Sequence, residues 1–257
     1  MSVSMNTQLR NLFFKDSTYY IEKYLLSSFM IYYVLKNLLL MVQETVAISS
    51  WSDELGRGNL NNLSAAVFYY PLIKHGLLAM FNAFNGIILL HSQRPQQAPD
   101  NWKGIWIPLL SSYAMLAYNL TNYMPGWMTM NYAPQHLLSI LLVGSCLLSL
   151  SGQIISLIAV LYLRRSFAIF IQVRDVIAGG PYKYVRHPMY TGYIVLTAGI
   201  LLSNLCVAYV LIAAVYIGLL AYRAHLEENM LAAHNSVYKE KMEHTGFLFP
   251  KLSVFTA

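Results

Sequence analysis

Residues 137–163 read LLSILLVGSCLLSLSGQIISLIAVLYL, without a single Asp, Glu, Lys or Arg. A helix crosses a bilayer with roughly 20 mainly apolar residues, so this stretch is long enough to span. Three runs before it meet the same test, at about 24–48, 66–91 and 104–122. A fifth begins at Pro188 and ends at Leu202, a tight turn is expected at Ser203-Asn204, and a sixth runs from Leu205 to Tyr222 and continues as a polar helix past Glu228. The composition agrees: 57% hydrophobic and 11% charged, against about 25% charged residues in an ordinary soluble domain. The expected fold is all-α, a polytopic membrane protein of about six transmembrane helices forming one integral membrane domain over 1–257. Within it, residues 1–160 supply the N-terminal helices and 161–257 a second part richer in polar motifs.

The net charge of +6 does not point to nucleic acid, because the cations sit between apolar runs instead of forming a basic face. They read as topology determinants. Arg10, Lys15 and Lys23 precede or open the first run; Arg57 lies in the first connection; Arg94 and Lys103 lie in the second. The third has none. Arg164, Arg165, Arg174, Lys183 and Arg186 fill the fourth, the Ser203-Asn204 turn has none, and Arg223, Lys239, Lys241 and Lys251 follow the last run. This alternation predicts both termini in the cytoplasm, with the fourth connection and the tail on one side. The first 18 residues hold Arg10, Lys15 and Asp16 and no continuous apolar core, which argues against a cleaved signal peptide.

Chemistry concentrates in two places. The first is Gly179-Gly180-Pro181-Tyr182-Lys183-Tyr184-Val185-Arg186-His187-Pro188-Met189-Tyr190-Thr191-Gly192. Pro188 suits the first position of a helix and pushes His187 out of helical geometry. His187 is therefore expected at a helix start, where free amides attract an anion. Gly192, one turn in, leaves room for a ligand or for a neighbouring helix. The fifth run is short, about 22 Å at the helical rise, and short Pro-punctuated segments often border sites in membrane proteins. The second place is Arg223-Ala224-His225-Leu226-Glu227-Glu228, where Arg223 and Glu227 are four apart and can pair on one helix face. In an antiparallel hairpin turning at Ser203-Asn204, these residues come level with Arg186 and His187.

Other polar residues read as structural. Cys146 and Cys206 lie in apolar runs as packing residues. His75, His91 and His136 are too scattered for a metal-ligand set. Asn82, Asn85, Asn119 and Asn122 are candidates for bonds between helices. Lys36 and Lys74, inside apolar runs, either face a cavity or snorkel to headgroups.

Gly180-Pro181-Tyr182 and Val185-Arg186-His187-Pro188-Met189-Tyr190-Thr191-Gly192 resemble the signature of the isoprenylcysteine carboxyl methyltransferase family. Glu227-Glu228, Leu231, Tyr238 and Leu248-Phe249-Pro250 are similar to that family's C-terminal block. The resemblance covers about residues 161–252. It implies a membrane methyltransferase dependent on S-adenosylmethionine, with a cytosolic cofactor pocket built by the C-terminal half and a lipidic or prenylated acceptor arriving from among the membrane lipids. Carried over by position, Tyr182, His187, Pro188, Tyr190, Gly192, Glu227 and Glu228 would hold the cofactor, and Arg186, Arg223 and Glu227 would act in catalysis. Where the family often has a further tyrosine and arginine, this chain has Lys241 and His244, and Arg223 or Lys241 is the replacement in space. The cofactor's carboxylate suits a helix start beside an arginine, and its amino group suits a glutamate. A carboxylate acceptor is already ionised and needs no base; an amine or thiol would need one. Phospholipid N-methylation and small-thiol S-methylation are the neighbouring readings. A membrane reductase using a nicotinamide, or a non-catalytic transporter or scaffold, are readings of another class. No metal partner and no nucleic acid are expected.

Overall fold

The structure, a computed structural model, describes residues 15–55, 62–99, 101–134 and 137–251. Arg10, Arg57 and His136 lie outside the described residues, as do the side chains of Lys74, Asn119 and Asn122. Within them the protein is helical, with no strand and only two isolated bridges, Gln97 with Val173 and Val185 with Gly246. Helices satisfy every backbone group internally, which a bilayer core demands.

A π-helical turn, Ile21–Leu26, leads into α1, Ser27–Leu55. Next come α2, Asn62–Leu90, and α3, Lys103–Tyr113, which continues as a 3-10 helix over Ala114–Tyr123. The third apolar run is thus a composite, stretched by the steeper 3-10 rise to about 36 Å. Exposed Trp102 and Trp106 flank its start and Tyr123, Trp127 and Tyr132 its end, the placement of aromatic belts at two membrane interfaces. Then follow α4, Leu138–Leu163, α5, Pro188–Ser203, α6, Val207–His234, and α7, Ser236–His244. The expected turn at Ser203-Asn204 and the continuation of the sixth run past Glu228 are both present.

Three helical stretches among the described residues are long and apolar enough to cross a membrane: Lys15–Val46, Ile140–Ser166 and Val207–His234. His75–Leu90 and Pro188–Ser203 are shorter apolar helices. Leu35, Leu39 and Val42 on α1, Ile140, Leu147 and Ile154 on α4, and Val210, Leu211 and Val215 on α6 point outward. Such apolar faces are incompatible with water over that length and suit lipid.

α4 and α5 meet through small residues. A Cβ on Gly152 would come within 2.6 Å of the Gly192 carbonyl oxygen, one on Gly192 within 2.6 Å of the Gly152 carbonyl, and one on Gly199 within 2.7 Å of the Ser149 nitrogen. Glycines and serines let two backbones approach where the hydrophobic effect offers no drive between helices. Of the two roles open to Gly192, the neighbouring helix fills the space. We expect Gly152→Ala to lower stability by about 1–3 kcal/mol through overpacking. Gly218, whose added Cβ meets nothing within 4 Å, should tolerate Ala with a neutral effect or a gain of up to about 1 kcal/mol. Thermal unfolding in detergent compares the two.

Candidate functional site

Pro188 opens α5 and His187 caps it, with φ −123° and ψ 59°. The cap is held from outside. The Arg186 amide donates to the Gly246 carbonyl at 2.8 Å, the His187 amide donates to the Phe247 carbonyl at 3.2 Å, and Gly246 donates back to Tyr184 at 3.1 Å. Thr191 Oγ1 donates to the Leu248 carbonyl. The C-terminal segment is therefore laced to the start of α5. The amides of Tyr190 and Thr191 donate to the His187 carbonyl at 3.0 and 3.1 Å, so the first turn offers an anion less than an open helix start would. Just upstream, Gly180 has φ +57° and lies against the Tyr162 ring; only glycine takes that conformation freely.

The last turns of α6 meet this corner. Glu228 accepts from Arg186 Nε, and Arg186 Nη1 also donates to the Met242 carbonyl at 3.1 Å. His187 Nδ1 lies 3.7 Å from Glu227 Oε2 and its Nε2 lies 3.3 Å from Glu228 Oε1. The second approach is off hydrogen-bond geometry, and Nε2 is left buried without a partner among the described residues. The imidazole stacks on the Tyr190 ring at 5.4 Å. Glu227 Oε1 accepts from the Tyr190 hydroxyl at 2.5 Å and from Arg223 Nε at 3.0 Å. Arg223 is buried, and it donates to the Ile169 carbonyl at 2.7 Å and to the hydroxyls of Ser111 and Ser112 at 3.3 and 3.1 Å.

Two cavities flank this cluster. The outer one, about 130 Å³, opens among the connection from Ser166 to Ile177, Tyr182, Arg186, His187, Tyr190, Glu227, Tyr238 and Lys241. One water needs about 10–15 Å³ on this scale, so the space suits a ligand. The inner cavity, about 250 Å³, lies within the helix bundle, is mostly apolar and has Arg223 in its wall. Phe167 and Met189 border both. Lys241 Nζ donates to the Ile177 carbonyl at 2.7 Å and lies 5.6 Å from the Tyr182 ring centre. Burial, and then the neighbouring Arg186, push its ammonium down to about 8. Burial also raises the Tyr182 phenol well above its usual range.

The residues singled out in the sequence thus separate. Tyr182, Arg186, His187, Tyr190 and Glu227 line the outer cavity. Glu228 stands behind them, bonded to Arg186. Arg223 faces the inner cavity. Pro188 and Gly192 are buried and are not on the lining of either cavity, and Gly192 packs against α4. Lys36 is exposed beside the Tyr33 ring at 5.7 Å. His75 pairs with Asn37 at 3.0 Å and His91 with the Ile87 carbonyl at 2.8 Å, as structural histidines do. Asn82 bonds its own helix at the Leu78 carbonyl, not a neighbouring one. Cys146 and Cys206 are free. Among the described residues no three His, Cys, Asp or Glu gather as a metal site.

Sequence reasoning missed Glu22 and misread Arg174. Glu22 is fully buried, accepts from the Ile169 amide at 2.9 Å and from the Phe170 amide, and pairs with Arg174 at 2.7 Å. Arg174 also donates to Gln172 Oε1 at 3.0 Å. It is a buried structural cation, whereas its place in a connection suggested a topology charge. The pair pins the connection that walls the outer cavity and presents Ile169 to Arg223. Removing one partner leaves an unpaired buried charge, so Glu22→Ala should cost about 3–5 kcal/mol. Combining Glu22→Leu with Arg174→Met should cost clearly less than the single loss, as thermal unfolding would register.

Residues 145–233 match the model of the Isoprenylcysteine carboxyl methyltransferase (ICMT) family. The match takes in most of α4, the whole connection, α5 and all of α6 but its last residue, and with them Tyr182, Arg186, His187, Pro188, Tyr190, Gly192, Arg223, Glu227 and Glu228, while Lys241 lies beyond it. No curated protein matches the chain.

Proposed function

From the ICMT-family domain at residues 145–233, that of a membrane methyltransferase, we propose that this protein uses S-adenosylmethionine to methylate a lipidic acceptor, a prenylated-cysteine carboxylate first among them. The observation that carries this reading is the pair of cavities meeting across Tyr190, Glu227 and Arg223: one with several charged residues on its lining, the other mostly apolar and among the helices of the bundle.

The outer cavity's donor set fits the cofactor. It offers a carboxylate, Glu227, for an amino group. Lys241 offers a cation for a carboxylate, while Tyr182, Phe167, Phe170 and Ile177 offer apolar and aromatic surface for a nucleobase. His187 Nε2, 3.3 Å from Glu228 Oε1, makes no hydrogen bond of good geometry among the described residues. When bound, the cofactor supplies a methyl group activated by its sulfonium. The residues of this chain position and shield. Glu227, fixed by the Tyr190 hydroxyl and Arg223 Nε, cannot turn away from the cavity without breaking two bonds. Arg186 locks Glu228 and the C-terminal segment behind His187. Arg223 brings a permanent cation to the apolar cavity, where an anionic head on a greasy chain would find a strong partner on the lining. Holding two reactants in line and out of water is most of what such a displacement asks of a protein.

Purified protein in lipid nanodiscs should bind S-adenosylhomocysteine by calorimetry. Glu227→Gln and His187→Ala should each weaken that binding by about 10- to 100-fold, the range for hydrogen bonds to charged groups. Unchanged affinity in both removes the site. Because the Lys241 ammonium is depressed to about 8, its charge is present below that pH and lost above it. Affinity should therefore fall as pH rises through about 8, and Lys241→Arg should remove the fall.

A further inference from the structure

The chain turns sharply at the end of α4. Arg164 has φ 48° and ψ −123° and is the one non-glycine residue with positive φ among the described residues; a β-carbon disfavours that backbone. Backbone bonds hold the turn, since the Arg165 carbonyl accepts from the Gln93 amide at 3.1 Å and from Arg174 Nη1 at 3.4 Å. It delivers two successive arginines to the mouth of a third cavity, a groove of about 360 Å³ between α2 and α4. Phe84, Ile87 and Ile88 of α2 and Leu161 of α4 form its apolar wall. Ile87 is 55% exposed and Leu161 40%, so this wall opens outward and not into the core. No acid stands among its lining residues. The arginine ion pairs among the described residues belong to Arg174, Arg186 and Arg223. The charges of Arg164 and Arg165, both exposed, are therefore uncompensated there.

Depth in the membrane says what such a groove would meet. α4 has 26 residues, about 39 Å at the helical rise, against roughly 30 Å of hydrocarbon. Its arginine end therefore lies at the level of the headgroups. A phospholipid presents there a phosphate directly above an apolar chain, and a guanidinium meets phosphate oxygens two at a time. We infer that the groove between the ends of α2 and α4 binds one anionic phospholipid, its phosphate held by Arg164 and Arg165 and an acyl chain laid against Phe84, Ile87 and Leu161. Basic pockets between spanning helices select anionic over zwitterionic lipid by charge. His91, also on the lining, adds a polar contact. Its Nδ1 is bonded to the Ile87 carbonyl at 2.8 Å. A carbonyl only accepts, so Nδ1 carries the hydrogen and Nε2 is left to accept from a headgroup hydroxyl. The groove shares no lining residue with the outer or the inner cavity. Its lipid is thus a bound partner that ties α2 to α4, and the inference stands apart from the proposed reaction.

Native mass spectrometry of the purified full chain tests this. The protein is released from micelles carrying equal amounts of dioleoyl phosphatidylglycerol and dioleoyl phosphatidylcholine, and the lipid that stays bound is counted. Phosphatidylglycerol should be retained over phosphatidylcholine by about tenfold, the order that two interfacial cations supply. Arg164→Gln with Arg165→Gln should bring the ratio near one. Both side chains are exposed and the turn is bonded through the backbone, so this variant should unfold at the wild-type temperature. Lys183→Gln with Lys239→Gln removes the same charge from exposed positions elsewhere and should keep the preference. Ile87→Trp, which fills the groove, should lower retention of both lipids with the arginines in place. Four results overturn the inference: a ratio near one in the wild type, a ratio kept by the arginine variant or lost equally in the lysine variant, full retention by Ile87→Trp, or displacement of the lipid by millimolar inorganic phosphate, which would mark a bare anion site. Should the arginine variant fail to fold, the Ile87→Trp and phosphate arms decide alone.

Discussion

One guanidinium joins the parts of this molecule that matter to its site. Arg223 sits on α6, bonds the serines of α3, takes the Ile169 carbonyl from the connection before α5, and holds Glu227 one helical turn away. A buried charge is tolerable only when its donors are used, and here each direction of the planar fork meets a different element. Withdrawing it would leave Glu227 with the Tyr190 hydroxyl as its hydrogen-bond donor, and with His187 Nδ1 at 3.7 Å. The same bonds that make the cation tolerable thus tie together the elements that stand between the two cavities.

That partition is stiffened from further away. Ile169 can offer its carbonyl to Arg223 because its amide, with that of Phe170, is held by Glu22. Glu22 in turn is neutralised by Arg174 on the far side of the same connection. Buried irregular backbone survives only where its polar groups are satisfied; here a carboxylate from the π-helical turn before α1 satisfies two of its amides. The small-residue seam between α4 and α5 contributes differently. It brings α5 close against the bundle, so that the short helix starts at the rim of the outer cavity with His187 and Tyr190 facing in.

What the sequence disclosed follows the range of the forces involved. Apolar runs, the Pro188 helix start, the Ser203-Asn204 turn and the Arg223–Glu227 pair are set by neighbours a few residues away, and all were legible. Their convergence with Arg186 and His187 was legible too, because a tight hairpin fixes the level of each residue by counting. Glu22 was not, since a lone acid in an apolar run carries no local sign of an arginine far along the chain. Arg174 was taken for a topology charge because cations in connections usually are. The role of Gly192 stayed open between ligand and helix, as absence of a side chain is the same signal for both. The two cavities themselves depend on how helices from both halves lean together, and no spacing rule encodes that.

The charges around the outer cavity bear on which acceptor suits it. Arg186, Arg223 and, below about pH 8, Lys241 stand against Glu227, Glu228 and Asp175, so the cluster is close to neutral before any ligand arrives. A buried, nearly neutral site resists gaining net charge, since Coulomb energies grow as water leaves. A sulfonium donor and a carboxylate acceptor enter as opposite charges, and transfer between them leaves a thioether and an ester with neither. For an amine acceptor the positive charge would persist on the product, in a wall that already holds Arg223. On the proposed reading the surroundings of the reaction therefore favour an anionic acceptor. Arg223 then has two duties on its two faces: holding Glu227 toward one ligand and meeting the head of the other.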